Sequence, residues 1–207
     1  MSPSEPTVYI IDDDDAIRSA LETLLASVGL RSEGYPSAPP FLDAFRPMEI
    51  GCALVELRLP GISGLELQAL LCERAIDLPV IIITGYGDVA SAVRAMKAGA
   101  VDFLQKPVNG QVLIETVQRA IRASRIRSEA NAEAGRVRRR LASLSQRERD
   151  VLDGVLAGEP NKRIAAGLRI AEKTVEAHRA RLMDKLEVRN IVELLKTVLA
   201  AGDQGKP

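Results

Sequence analysis

Asp12, Asp13, Asp14 and Asp15 stand directly after the apolar run Thr7–Ile11. Glu56 lies at the end of a second apolar run at 52–57. Thr84 closes a third, 79–84, and Lys106 follows a fourth, 101–105. Carboxylates offer the hard oxygen ligands that suit Mg²⁺, which keeps several waters and takes few ligands from a protein. An ammonium and a hydroxyl beside them would stabilise the oxygens of a phosphoryl group. Singly, each of these residues would serve equally well to cap a strand or start a helix. As a set at matching strand ends, Asp12, Asp13, Glu56, Thr84 and Lys106 point to a Mg²⁺-binding, phosphoryl-handling edge.

The elements that must position this set alternate. After the first strand, Ile17, Leu21, Leu24, Leu25 and Val28 recur at helical spacing, and Gly29 stops the helix. Residues 31–35 read as a short edge strand, and Pro39 and Pro40 open a brief helix through Phe41, Leu42 and Phe45. The turn Pro60-Gly61-Ile62-Ser63-Gly64 leads into a helix ending near Arg74. Val80, Ile81, Ile82 and Ile83 form the strongest β signal in the chain. A helix over 88–98 ends at Gly99, and another begins near Asn109. Apolar strands in strict alternation with helices predict a parallel sheet covered on both faces. Sites in such open sheets lie at the carboxyl ends of the strands.

Charge divides the chain. Residues 1–123 carry 10 Lys and Arg against 16 Asp and Glu, whereas residues 124–207 carry 18 against 12. An acidic half joined to a basic half predicts two domains with different partners, the second suited to nucleic acid. One histidine, His178, argues against a His-rich metal site and against Ser/His/Asp catalysis. Two cysteines, Cys52 and Cys72, are too few for a disulfide scaffold. With no secretory signal and no apolar run near the ~20 residues that span a bilayer, the expectation is a cytoplasmic protein without membrane contact.

Residues 7–123 resemble the receiver domain of two-component response regulators. The resemblance rests on Asp12-Asp13, the loop from Arg58 through Pro60-Gly61 to Gly64, Thr84-Gly85, and Lys106-Pro107. It implies a flavodoxin/CheY-like α/β fold, a parallel five-stranded sheet of order 2-1-3-4-5, and a cis Lys106-Pro107 bond. It also implies an acidic pocket for Mg²⁺ formed by Asp12, Asp13 and Glu56 beside Arg58. Thr84 and Lys106 would read phosphoryl oxygens, and Thr84 with Phe103 would form the switch. The resemblance further implies a sensor histidine kinase as partner. A homodimer would form through the face of helix 4, strand 5 and helix 5, here 88–98, 101–105 and 109–123. One departure is central: the family's phosphoacceptor aspartate corresponds to Glu56. The extra methylene moves the carboxylate about 1.5 Å outward, and misplacement of that order can cost ~100-fold in a positioned reaction. Glu56 is therefore expected to be a poor phosphoacceptor and a partial mimic of the phosphorylated state.

Residues 124–143 read as a helical linker, with Ile126, Ala130, Val137 and Leu141 at near-heptad steps. Beyond it, Ser145 and Glu148 form a capping box ahead of Val151, Leu152, Val155 and Leu156. Asn161 is expected to cap a helix over 162–167, and a tight turn at 169–171 leads to a helix over 173–186. Val175, Leu182 and Leu186 mark its buried stripe. Asn190 and Glu193 cap a last helix. Two helices joined by so short a turn form a helix-turn-helix, whose second helix enters the major groove. Residues 144–199 resemble the LuxR-type helix-turn-helix, through Leu144-Ser-Gln-Arg-Glu148, Asn161-Lys162, Ile164-Ala165, Lys173-Thr-Val-Glu176, His178 and Lys185-Leu186. Three positions depart from it: Pro160 and Ala171 where hydroxyl caps are usual, and Glu187 where glycine is common. Lys162, Lys173, Thr174, Glu176, Ala177 and Arg181 are the expected DNA contacts, and His178 a packing or phosphate-contacting residue.

The domains are therefore expected at 1–123, 124–143 and 144–207, and the two resemblances together point to the FixJ/NarL class of response regulators. The function expected is a DNA-binding transcription regulator, not an enzyme. Its partners would be promoter DNA, a kinase, a second copy and RNA polymerase. Two alternatives stand beside it: an interaction protein that docks partners without reading DNA, and a Mg²⁺-dependent phosphohydrolase using Asp12 and Asp14 as a D-x-D pair.

Overall fold

A computed structural model describes residues 5–46 and 50–202. It divides into two compact units, Met1–Glu129 and Ala130–Pro207. The first holds five strands: β1 (Thr7–Ile11), β2 (Arg31–Tyr35), β3 (Gly51–Glu56), β4 (Val80–Thr84) and β5 (Asp102–Gln105). They form one parallel sheet of order β2-β1-β3-β4-β5. Between them run α1 (Asp15–Ser27), α2 (Ala38–Ala44), α3 (Gly64–Glu73) and α4 (Val89–Lys97), followed by α5 (Gly110–Ala142). The segment 124–143 thus falls almost wholly within α5. Along it Ile126 and Ala130 are exposed, while Val137 is buried and Leu141 half-buried.

Successive side chains of a strand point to opposite faces, so each central strand feeds two cores. Tyr9, Ile11, Ala53, Val55 and Ile82 face a core closed by Phe41, Phe45, Leu67, Leu71 and Ala95. Tyr9 anchors an aromatic cluster there, 5.4 Å from Phe41 and 5.5 Å from Phe45 between ring centroids. Val8, Ile10, Cys52, Leu54, Ile81 and Ile83 face the other core, closed by Leu25, Leu113, Val117, Ala120 and Ile121. Burial on both sides explains the unbroken apolar runs of β1, β3 and β4. It also pushes the Cys52 thiol up to about 12, which makes it an inert core residue.

The second unit contains α6 (Gln146–Leu156), α7 (Asn161–Leu168), α8 (Glu172–Leu186) and α9 (Ile191–Gly202). Val151, Val155, Ile164, Val175, Leu182, Leu186 and Leu194 make its core. The capping box is present in full: Ser145 Oγ accepts the Glu148 N–H, and Glu148 Oε2 accepts the Ser145 N–H. Asn190 Oδ1 accepts the Glu193 N–H at 2.9 Å. One expectation is corrected. The N-cap of α7 is Pro160, which makes no side-chain cap bond, and Asn161 is already helical. Its Oδ1 accepts from Arg179 Nη1 at 2.7 Å, a tertiary bond to α8 that takes the place of a local cap.

Candidate functional site

The carboxyl ends of β1, β3 and β5 bring three charged side chains into contact. Lys106 Nζ donates to Asp12 Oδ2 at 2.5 Å and to Glu56 Oε2 at 2.7 Å. Asp12 and Glu56 are 3% and 7% exposed. Their remaining oxygens are also engaged: Asp12 Oδ1 accepts the Asp14 N–H at 3.0 Å, and Glu56 Oε1 accepts the Arg58 N–H at 3.2 Å. Two buried carboxylates thus share one ammonium, and burying them without such partners would be costly. Desolvation works against the charge on Lys106. The bonds and attraction from Asp12 and Glu56 outweigh it, and they hold the ammonium above its ordinary range.

Local chain geometry sets these positions. Asp14 is the N-cap of α1, accepting the N–H groups of Ala16 at 2.8 Å and Ile17 at 3.2 Å. Both of these bonds fall on Oδ1 of the exposed Asp14 carboxylate. Gly64 lets α3 start against the end of β3, because a Cβ there would lie 2.4 Å from the Glu56 carbonyl oxygen. The Lys106 N–H donates to the Thr84 carbonyl at 2.8 Å, fixing where the lysine leaves the sheet.

The other expected residues are placed as follows. Asp13 is exposed beside Asp12. Thr84 is fully buried, and its Oγ1 accepts the Tyr86 N–H at 3.1 Å. Phe103 is half-buried against the core of Tyr9 and Ile82. A Cβ on Gly87 would come within 2.8 Å of the Phe103 ring and 3.4 Å of Thr84 Cγ2, so this glycine keeps the two in close company. Arg58 reaches Glu56 through its backbone, while its guanidinium lies 4.6 Å over the Tyr86 ring. The Lys106–Pro107 peptide is cis. Among the described residues, no three His, Cys, Asp or Glu side chains are gathered as a ready-made metal site.

Two participants escaped the sequence reading. Arg18 Nη1 donates to the Asp12 carbonyl at 2.6 Å, and its other nitrogen pairs with Asp15. A basic residue one turn after an acidic run was the available signal. Tyr86, 68% exposed, holds the Arg58 stack, and only its place after Thr84-Gly85 hinted at the site.

In the second unit, α7 and α8 form the helix-turn-helix, with Arg169 left-handed between them at φ 56°. Val175, Leu182 and Leu186 face the core, at 0%, 0% and 1% exposure. Lys173, Thr174, Glu176, Ala177 and Arg181 are exposed on α8, and Lys162 on α7. His178 is half-buried, with Nδ1 covered and without a hydrogen-bond partner among the described residues. Ala171 is the N-cap of α8 and makes no side-chain cap bond. Glu187 ends α8 in the left-handed region at φ 55°, which favours glycine. Lys185 Nζ donates to Glu148 Oε2 at 2.7 Å, tying the end of α8 to the start of α6. That bond, followed by the Ser145 N–H, holds the Glu148 carboxyl at about 2.

Comparison with known proteins covers both units. Residues 8–118 match the response regulator receiver domain, and residues 142–198 match the luxR family of bacterial regulatory proteins. The chain is 44% identical over 200 residues to the transcriptional regulatory protein FixJ of Azorhizobium caulinodans, covering 97% of this chain and 95% of that one. It is 44% identical over 198 residues to FixJ of Rhizobium meliloti, covering 95% and 96%. Among solved structures, the response regulator StyR superposes with a TM-score of 0.85 at 39% identity, over 94% of this chain and 98% of that one. Full-length FixJ from B. japonicum gives 0.58 at 39% identity, over 96% and 98%.

Proposed function

This chain belongs to the FixJ-like response regulators, DNA-binding transcription regulators that join a receiver to a luxR-family helix-turn-helix, and we propose that Glu56 stands at its phosphoacceptor position and acts as a built-in partial substitute for the phosphoryl group. The observation that carries this reading is the bond from Lys106 Nζ to Glu56 Oε2 at 2.7 Å. An acidic group on β3 already engages the lysine that would read a phosphoryl oxygen. Glutamate brings one negative charge, against about −2 for a phosphoryl group, and no tetrahedral oxygens, so the substitution is partial.

Asp12, Asp13 and Glu56 offer only carboxylate oxygens, the donor class for Mg²⁺, and these residues would hold it with Arg58 beside them. When bound, the ion would neutralise carboxylates that otherwise depend on Lys106. Thr84 and Phe103 form the switch that reports the state of this edge. The upstream partner is a sensor histidine kinase. The active form pairs with a second copy through α4, β5 and the start of α5, where Val89, Val93, Met96 and Val112 are exposed. Residues 1–123 are the receiver, 124–143 the linker and 144–207 the DNA-binding domain. Lys162, Lys173, Thr174, Glu176, Ala177 and Arg181 face promoter DNA, with half-sites about 10 base pairs apart and RNA polymerase as the downstream partner. The exposure of these six side chains supports that assignment.

The test compares the chain with Glu56→Asp and Glu56→Ala under acetyl phosphate. The Asp variant gains label and then binds DNA more tightly, and the unaltered chain stays unlabelled. A bias of 1–2 kcal/mol toward the active state makes its DNA affinity roughly 5- to 30-fold higher than that of Glu56→Ala. Equal affinity of the two refutes the substitute role, and stable label on Glu56 refutes its loss of phosphotransfer.

A further inference from the structure

Beside the carboxylate edge, the starts of α3 and α4 border an open cleft of about 440 Å³. That volume lies within the range of small-molecule sites. Arg58, Tyr86 and Arg94 line it, together with Ser63, Glu66, Asp88 and Ser91. The two acids are committed locally. Glu66 Oε2 accepts from the N–H and Oγ of Ser63 at 2.7 and 2.8 Å. Asp88 accepts from the N–H and Oγ of Ser91 at 2.7 and 3.1 Å.

The two arginines are not so committed. Elsewhere in the same unit, Arg18, Arg31, Arg119 and Arg127 each close an ion pair with an acid, while among the described residues Arg46, Arg74, Arg122 and Arg125 close none. Among the described residues Arg58 closes none, and it rests its guanidinium on the Tyr86 ring. Among the described residues, Arg94 donates to Ser91 Oγ at 3.2 Å and closes no ion pair, although, behind the Ser91 N–H and Oγ bonds, its charge helps to hold the Asp88 carboxyl below its ordinary range. A guanidinium presents five donors in a planar fork suited to a carboxylate or phosphate, and one stacked on an aromatic ring keeps that fork free. Two guanidinium forks and an exposed phenol ring therefore border one cavity, with the buried Ser91 one turn before Arg94 on α4.

We propose that this cleft is a binding site for a small organic anion, whose carboxylate or phosphate is held by Arg58 and Arg94 and whose body lies against Tyr86. The cleft adjoins the carboxylate edge: the Arg58 N–H meets Glu56, and the Tyr86 N–H meets Thr84. The proposal does not depend on what Glu56 does, because binding is measured directly.

The test titrates the full-length chain with benzoate and, separately, with inorganic phosphate. Binding is followed by calorimetry and by the fluorescence of tyrosine, since Tyr86 is the exposed member of the three tyrosines. A fragment of this size is expected to bind with a Kd of about 1 mM. Arg58→Ala and Arg94→Ala each weaken it by about tenfold or more, and Arg94→Lys restores part of the loss. Tyr86→Leu weakens benzoate and leaves phosphate unchanged if the ligand class is an aromatic carboxylate. Binding of phosphate alone, unaffected by Tyr86→Leu, assigns the site to phosphate-bearing ligands. Absence of saturable binding of either anion up to about 10 mM overturns the proposal, as does equal binding by the chain and both alanine variants. Far-UV circular dichroism identical to that of the unaltered chain shows that the variants, all at exposed positions, have folded.

Discussion

Replacing Glu148 by Gln tests how the DNA-binding unit is held together. Glu148 Oε2 accepts from Lys185 Nζ and from the Ser145 N–H, so glutamine removes the charge while keeping an acceptor for the capping box. A carboxyl held at about 2 instead of 4.5 sets a ceiling of about 3 kcal/mol on the stability linked to its ionisation. The Glu148 side chain is covered, but that of Lys185 is 41% exposed, so water and salt screen the pair. About 1–2 kcal/mol is the expected loss at neutral pH. Because the folded carboxyl is depressed, the unfolded chain binds the extra proton between pH 4.5 and 2. The contribution is therefore complete above about 4.5 and lost as the pH falls through that window. The composition supplies the assay. All three tyrosines, Tyr9, Tyr35 and Tyr86, lie in the first unit, while the described residues of the second are helical between their turns. A urea transition seen by far-UV circular dichroism but silent in tyrosine fluorescence belongs to the DNA-binding unit. Glu148→Gln should move that transition to lower urea at pH 7, with the difference shrinking toward pH 3. An unchanged midpoint at pH 7, or a difference independent of pH, refutes the reasoning.

Ala171→Ser should supply the missing N-cap of α8 and raise the same circular-dichroism transition by about 1 kcal/mol. Lys173→Ala should weaken DNA binding across all sequences and reduce the slope of log affinity against log salt by about 0.9, as read by fluorescence anisotropy; an unchanged slope removes Lys173 from the phosphate contacts.

How far the sequence was legible depended on the range of each interaction. The unbroken apolar run of Thr7–Ile11 and the branched run of Val80–Thr84 reported burial on both faces, and the strand ends followed within a residue. Both members of each capping box lie three residues apart, so Ser145 with Glu148 was readable locally. The partners of Lys106 were not: Asp12 and Glu56 are 94 and 50 residues away, and only the assembled sheet decides which carboxylates share the ammonium. Asn161 shows the same limit. Residue type fitted a cap, but the Arg179 guanidinium, 18 residues on, claims its oxygen. The stacking of Arg58 on Tyr86 was likewise hidden, because their separation matches no helical or strand period.

The three departures in the helix-turn-helix share one physical consequence. Pro160 and Ala171 leave α7 and α8 without side-chain caps, and Glu187 spends conformational energy in the left-handed region, where L residues cost about 1–2 kcal/mol. Local chemistry therefore does little to fix α8, and tertiary bonds must do it. Arg179 reaches Asn161, Lys185 reaches Glu148, and Arg140 pairs with Glu187 itself. Beneath them Val175, Leu182 and Leu186 supply the burial that keeps the helix in place. The Lys185 and Arg140 tethers are partly exposed ion pairs, so salt screens them just as it screens contacts to phosphate. Salt should consequently act on DNA binding twice, through the loosened hold on α8 as well as through the lost phosphate attraction. Ala171→Ser strengthens a neutral, salt-independent restraint, and it separates the two effects: whatever salt sensitivity it relieves belongs to the helix, and whatever remains belongs to the DNA.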